Sequence, residues 1–262
     1  GRGAEMSSSN APSSSPAPSH PKRGLGITTQ PGSQWREKLE RSGARWFYSW
    51  GPRAPESTPA GIEFVPMIWG RTGVEMQAKI PEILKQQGSQ ELLGFNEPDR
   101  AAQSDMTVAK ALELWPDLMK LGLPLGSPGC AHPDQEWMQA FMKGVAEKNL
   151  RVDFITVHTY GGLNVDELMN QLSSVHQAFQ RPLWLTEFAV GDWEAKTRAD
   201  NRYQPAQIVK FIEEALPRLD QCAFVERYAW FPAKPDDSAL GPCALFNADG
   251  SLTSVGQAYR SV

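Results

Sequence analysis

Eight short apolar runs, each followed by polar or amphipathic sequence, recur between residues 25 and 231 and constrain the fold more than any other feature. They are LGIT (25–28), RWFYSW (45–50), EFVPMIW (63–69), ELLGF (91–95), LPLGSP (123–128), DFITVHTY (153–160), PLWLTE (182–187) and VERYAWF (225–231). Apolar runs this short read as strands buried on both faces. Between them apolar residues return at helical spacing: Ile80, Ile83 and Leu84; Val108, Leu112, Trp115 and Met119; Trp137, Phe141 and Val145; Val165, Leu168, Leu172 and Phe179; Ile208, Phe211, Ile212 and Leu219. Thr107, Asp134 and Asn164 stand where helix N-caps belong, and Pro116 predicts a kink or an early helix end. The segments after the second and eighth runs are rich in Gly and Pro and read as loops.

Eight strands alternating with helices predict an α/β fold, a single-domain (β/α)8 TIM barrel over residues 24–262, close to the roughly 250 residues typical of that architecture. The competitor is an open doubly wound sheet. That fold usually carries a glycine-rich phosphate loop after its first strand, and LGITTQPG has none. Residues 1–23 differ in composition: SSSNAPSSSPAPSHP (7–21) has nothing to bury and predicts a disordered linker. The five residues GRGAE ahead of Met6 also read as a cloning remnant. A Ser/Pro linker of this kind often follows a secretion signal or lipid anchor, so an extracellular location is expected.

With 26 Lys and Arg against 30 Asp and Glu, the formal charge is −4, which offers no counter-charge to a phosphate backbone and argues against nucleic acid as a partner. No apolar stretch reaches the about 18 residues a membrane span requires. Three cysteines without CxxC spacing and four histidines without an HExxH pattern predict no catalytic metal, and no cofactor fingerprint is present. Ser127 lies outside any GxSxG elbow.

A barrel of this type places its active site at the carboxyl ends of its strands. The fourth run ends in GFNEPD (94–99) and the seventh in LTEF (185–188), so each delivers one Glu to that face. A single strand-end Glu is most often solvated or paired in a salt bridge. Two of them, Glu97 and Glu187, on strands expected to face each other across the barrel mouth, supply what glycoside cleavage needs: one acid to protonate the departing oxygen and one carboxylate to attack the sugar carbon. Asn96 adds an amide suited to a sugar hydroxyl, and Pro98 predicts an extended backbone at Glu97.

GFNEPD (94–99), HTY (158–160) and WLTEFAV (184–190), in that order, resemble glycoside hydrolase family 128, a family of β-1,3-glucanases within the clan of retaining (β/α)8 hydrolases. The resemblance runs from about Gly24 through most of the chain. The Asn-Glu-Pro tripeptide is shared widely in the clan; GFNEPD with LTEF is more specific. It implies an endo-β-1,3-glucanase with Glu97 as acid/base and Glu187 as nucleophile, acting as a monomer on β-1,3-glucan or laminari-oligosaccharides. By the same resemblance Tyr160 hydrogen-bonds the nucleophile, and His158 reaches the same network. Two alternatives stay open: a barrel that binds short glucans without cleaving them, and a clan relative acting on another β-glycan.

Sugars offer flat apolar faces, so tryptophans at the active face are candidate platforms. Trp50, Trp69 and Trp230 end or nearly end their runs. Counting by twos places Trp46, Tyr48 and Trp50 on one strand face, and Tyr228 with Trp230 likewise. The resemblance adds to the case for Trp230. Trp193 with Asp192, and Trp137 with His132, are candidates for binding further sugar units. Trp35, Trp115 and Trp184 read as packing residues, and Glu226 with Arg45 as an interior ion pair.

Overall fold

The computed structural model describes residues 20–75 and 78–262, so the linker expected over residues 1–23 lies almost wholly outside the described residues. Six continuous parallel strands, β1 (Arg23–Gly26), β2 (Trp46–Tyr48), β3 (Glu63–Phe64), β4 (Ile155–Gly161), β5 (Leu183–Val190) and β6 (Val225–Trp230), lie in the order β3-β2-β1-β6-β5-β4. The gap between β3 and β4 is filled by residues 92–93 and 125–126. Parallel bridges Met67–Leu93, Leu92–Leu125 and Gly126–Phe154 join them to their neighbours. Those bridges close the sheet into an eight-staved (β/α)8 barrel, whose fourth and fifth staves are joined by isolated bridges that recur at Asn96–Gly129.

Among the described residues, eight α-helices surround the barrel: α1 (Trp35–Arg41), α2 (Arg71–Glu75), α3 (Ile80–Gln87), α4 (Val108–Met119), α5 (Glu136–Glu147), α6 (Val165–Phe179), α7 (Pro205–Gln221) and α8 (Ser254–Ser261). The Thr107 and Asn164 side chains cap α4 and α6 by accepting from Lys110 N and Glu167 N. Asp134 does not cap α5, whose N-cap is Gln135. Pro116 does not end α4, which continues to Met119. Lys22 and Arg23, assigned by composition to the linker, belong to the barrel. Lys22 Nζ bonds the carbonyls of Leu219 and Cys222, and the Arg23 guanidinium is buried against Tyr228 and the Tyr259 carbonyl.

The alternation of the strands sorts their side chains into two cores. Phe47, Leu185, Phe188 and Tyr228 face the helices, whereas Trp46, Tyr48, Val65, Met67, Leu93, Phe154, Trp184 and Ala229 fill the barrel interior. The interior rings interlock, with Phe154 stacked on Trp184 at 4.3 Å and Trp46 tilted against Trp184 at 5.4 Å. Gly24 makes room for them: a Cβ there would lie 2.2 Å from Trp46. At the lower end the Arg227 guanidinium sits 4.5 Å over Trp184 and pairs with Glu63 at 2.8 Å and Glu91 at 3.5 Å. The interior ion pair is therefore this triad. Arg45 is exposed, and Glu226 accepts from the Trp184 indole at 3.1 Å.

Candidate active site

At the carboxyl ends of the staves the interior opens into a cleft of about 1070 Å³, lined by Asn96, Glu97, His158, Tyr160 and Glu187 together with aromatic residues. Glu97 follows the fourth stave, where its N–H donates to the Gly129 carbonyl at 2.7 Å. Its backbone is left-handed, φ 42°, rather than the extended form that the following Pro98 predicts. The turn Asn96–Arg100, closed by Arg100 N to Glu97 O at 3.0 Å, overrides the local preference. Strained φ of this kind at a non-glycine residue concentrates at functional sites.

Glu187 reaches the cleft through an irregularity in β5. Trp184 faces the barrel interior and Leu185 faces the helices, so strict alternation would send Glu187 outward. The β4–β5 ladder instead pairs Val157 with Leu185 and then His158 with Glu187, leaving Thr186 as an extra residue. This bulge restores Glu187 to the barrel axis and returns Phe188 to the outer core. Tyr48 secures it by donating its hydroxyl to the Thr186 carbonyl at 2.7 Å.

Glu97, His158 and Glu187 meet in a buried cluster. One oxygen from each carboxylate and one imidazole nitrogen lie within 4.8 Å of one another. His158 Nδ1 is 2.8 Å from Glu97 Oε2, and Nε2 is 3.6 Å from Glu187 Oε2. Burial pushes Glu97 up, but the hydrogen bond and charge of His158, with Arg100 at 3.5 Å, hold it below the usual carboxylate range. Burial lowers His158, yet the charge of Glu187 and the bond and charge of Glu97 raise it above its ordinary value. Tyr160 donates to Glu187 Oε1, and burial beside that carboxylate raises the phenol, which stays protonated. The Trp50 indole N–H donates to Glu187 Oε2 at 3.1 Å. By distance, the two carboxylates and His158 are a donor set a cation would fit, but His158 Nδ1, Trp50, Tyr160 and Arg100 already engage its oxygens.

Of the remaining sequence candidates, Asn96 lies in the cleft. Its amide N–H donates to Gln103 Oε1 at 2.9 Å, and its buried Oδ1 keeps no protein partner. Trp69 and Trp193 line the rim with 40% and 61% of their surface exposed. His132 lies on the wall.

Trp230 is not a platform. It is 0% exposed, donates to the Cys243 carbonyl and packs on Phe188 at 5.0 Å in the outer core. Inward parity in β6 belongs to Arg227 and Ala229, so the next inward residue, Phe231, is the one that lines the cleft. Trp137 is stacked on Phe141 in α5 and donates to the Met106 carbonyl; it lines a side groove that adjoins the cleft at His132, Asp134 and Gln135. Asp192 is buried and accepts backbone N–H groups from Glu194 and Arg202, a loop-holding role. Sequence reasoning missed Arg100, Gln103 and Phe231. Arg100 had a signal, since it stands three residues beyond Glu97 on a turn and so close to the same carboxylate.

Residues 24–259 match the family model described as glycosyl hydrolase catalytic core. No curated protein matches the chain by sequence. Among solved structures, the fold is similar to a subgroup I family 128 endo-β-1,3-glucanase from Amycolatopsis mediterranei, a glutamate variant in complex with laminarihexaose. The TM-score is 0.81 and identity 37%, over 92% of this chain and 99% of that one. A subgroup II endo-β-1,3-glucanase from Sorangium cellulosum gives TM-score 0.76 and 29% identity over 92% and 98%. A subgroup III curdlan-specific exo-β-1,3-glucanase from Blastomyces gilchristii, in complex with glucose, gives 0.71 and 32% over 94% and 100%. By its sequence, its barrel and these likenesses, the chain belongs to glycoside hydrolase family 128.

Proposed function

We propose that this protein is an endo-acting β-1,3-glucanase that cleaves laminarin-like chains with retention of configuration. The observation that carries the reading is the approach of Glu97 and Glu187 to within 4.8 Å, one oxygen from each, at the floor of an open cleft. A retaining pair stands about 5–5.5 Å apart, whereas an inverting pair leaves about 6.5–9.5 Å for a water molecule. The relatives solved with laminari-oligosaccharides support the substrate class. Endo action draws on the higher identity to the subgroup I endo-enzyme, 37% against 32% for the exo-enzyme.

In the first step Glu187 forms a bond from a carboxylate oxygen to the anomeric carbon, and the bond from that carbon to the glycosidic oxygen breaks. Glu97 gives its proton to the departing oxygen. In the second step Glu97 takes a proton from water, the hydroxide attacks the anomeric carbon, and Glu187 leaves as a carboxylate. His158, in contact with Glu97, holds the proton close to the carboxylate that must deliver it. Asn96 Oδ1 accepts from a sugar hydroxyl, and Trp69 and Trp193 carry sugar faces at the rim.

The test is reducing-end release from laminarin, with cellulose and mannan as comparisons. The wild type should cleave laminarin, and Glu187→Gln should be inactive while still binding laminari-oligosaccharides. Cleavage of laminarin by that variant at the wild-type rate would overturn the assignment of the nucleophile. Binding without cleavage by the wild type would identify a glucan-binding barrel instead.

A further inference from the structure

We infer that Trp50 positions the nucleophile and is not a sugar platform, an assignment that rests on Glu187 as the attacking group. Three observations converge on it. First, its indole N–H donates to Glu187 Oε2 at 3.1 Å while Tyr160 donates to Oε1, so each oxygen of the carboxylate has its own neutral donor. A carboxylate gripped at both oxygens loses its freedom to rotate, and lone pairs on each remain for attack. Neutral donors orient it without cancelling the charge that makes it nucleophilic.

Second, the residue holds this position against its own backbone preference. Trp50 has φ 59°, a left-handed conformation that a bulky side chain adopts only under constraint. Third, the ring is wedged from several sides. It meets Tyr48 edge-on at 4.9 Å and Phe231 at 6.2 Å. Gly26 lies beneath it, where a Cβ would come within 3.0 Å of the indole and 3.2 Å of Tyr48. Gly26 is thus the opening that lets the ring settle with its N–H on Glu187. A platform needs an uncovered face. Trp69 and Trp193 offer a broad one, with 40% and 61% exposure, whereas Trp50, in the wall of the same cleft, is half-buried with its N–H committed to Glu187.

Trp50→Phe keeps a ring and deletes the donor. A hydrogen bond to a charged group corresponds to about one to two powers of ten. The variant should therefore lose about tenfold or more in kcat on laminari-oligosaccharides, with KM within about twofold. The acidic limb of its kcat/KM profile should move to higher pH. A raised KM with unchanged kcat and pH profile would overturn the inference and restore the platform.

A second readout needs neither turnover nor a folded Trp50 variant. In the protein carrying 15N-labelled tryptophan, the Trp50 indole N–H resonance should move upfield in Glu187→Ala, which removes its acceptor. An unmoved resonance overturns the inference. If the wild type fails to cleave laminarin, the proposed function falls, and the resonance still decides whether Trp50 holds Glu187.

Discussion

His158 and Glu97 share a buried hydrogen bond of 2.8 Å between Nδ1 and Oε2, and the second imidazole nitrogen points to the other carboxylate of the site. This contact sets the charge state of the cleft. Glu97 is held below its ordinary value of 4.5, so its share of folding stability is present above that pH and lost as pH falls through its folded value. His158 is held above 6.5, so its share is present below that pH and lost as pH rises through its folded value.

The pair should therefore contribute most between pH 4.5 and 6.5. His158→Gln should lower Tm by a few degrees in that window, and the difference should shrink on either side in calorimetric scans. The same variant should lose about a hundredfold in kcat, because the acid no longer has its proton-holding neighbour. A Tm difference that is flat with pH would refute the coupling.

Retention predicts the configuration of the first product. Proton NMR of early laminarin hydrolysis should show the β-anomer first, with the α-anomer growing only by mutarotation. An α-anomer at the earliest times would overturn retention and, with it, the assignment of Glu187 as the attacking group.

The two kinds of tryptophan should part company on substitution. Trp193→Ala removes a residue that is 61% exposed, so stability should change by no more than about 0.5 kcal/mol while KM for longer oligosaccharides rises about three- to tenfold. Trp230→Ala empties a site that is 0% exposed and should cost about 3–5 kcal/mol in denaturant unfolding. Any loss of activity in that variant should follow the unfolded fraction.

The triad at the lower end of the barrel has its own pH signature. Burial and the adjacent Glu63 push Glu91 up to about 7, with Arg227 pulling the other way. A carboxyl raised in the folded state contributes stability that is complete below 4.5 and lost as pH rises through about 7. Glu91→Gln removes that loss, so its Tm should gain on the wild type by a few degrees between pH 5 and pH 8. Parallel Tm curves for the two proteins would show that Glu91 ionises freely.

The barrel and its two acids were legible because they depend on signals the chain carries locally: alternating apolar runs, and a Glu where a strand ends. The directions of side chains were less legible, because parity counting assumes an unbroken pleat. Trp230 reads as a platform if Tyr228 is taken as inward, yet in β6 Ala229 faces inward and Phe231 reaches the cleft. Nor does Pro98 reveal the left-handed turn at Glu97, which follows from contacts with Gly129 and Arg100. The Arg227 triad joins residues 136 and 164 positions apart, a separation at which no sequence pattern links them.

The surplus residue at Thr186 sets the aim of the whole strand end. Everything before it in β5 is ordinary barrel wall, and everything after it is turned by one place. Drawn into a regular pleat, Thr186 would take the inward place and Glu187 would turn into the helical shell, with the tryptophan rim untouched. The inward aim of that carboxylate thus rests on one irregular residue in a single strand.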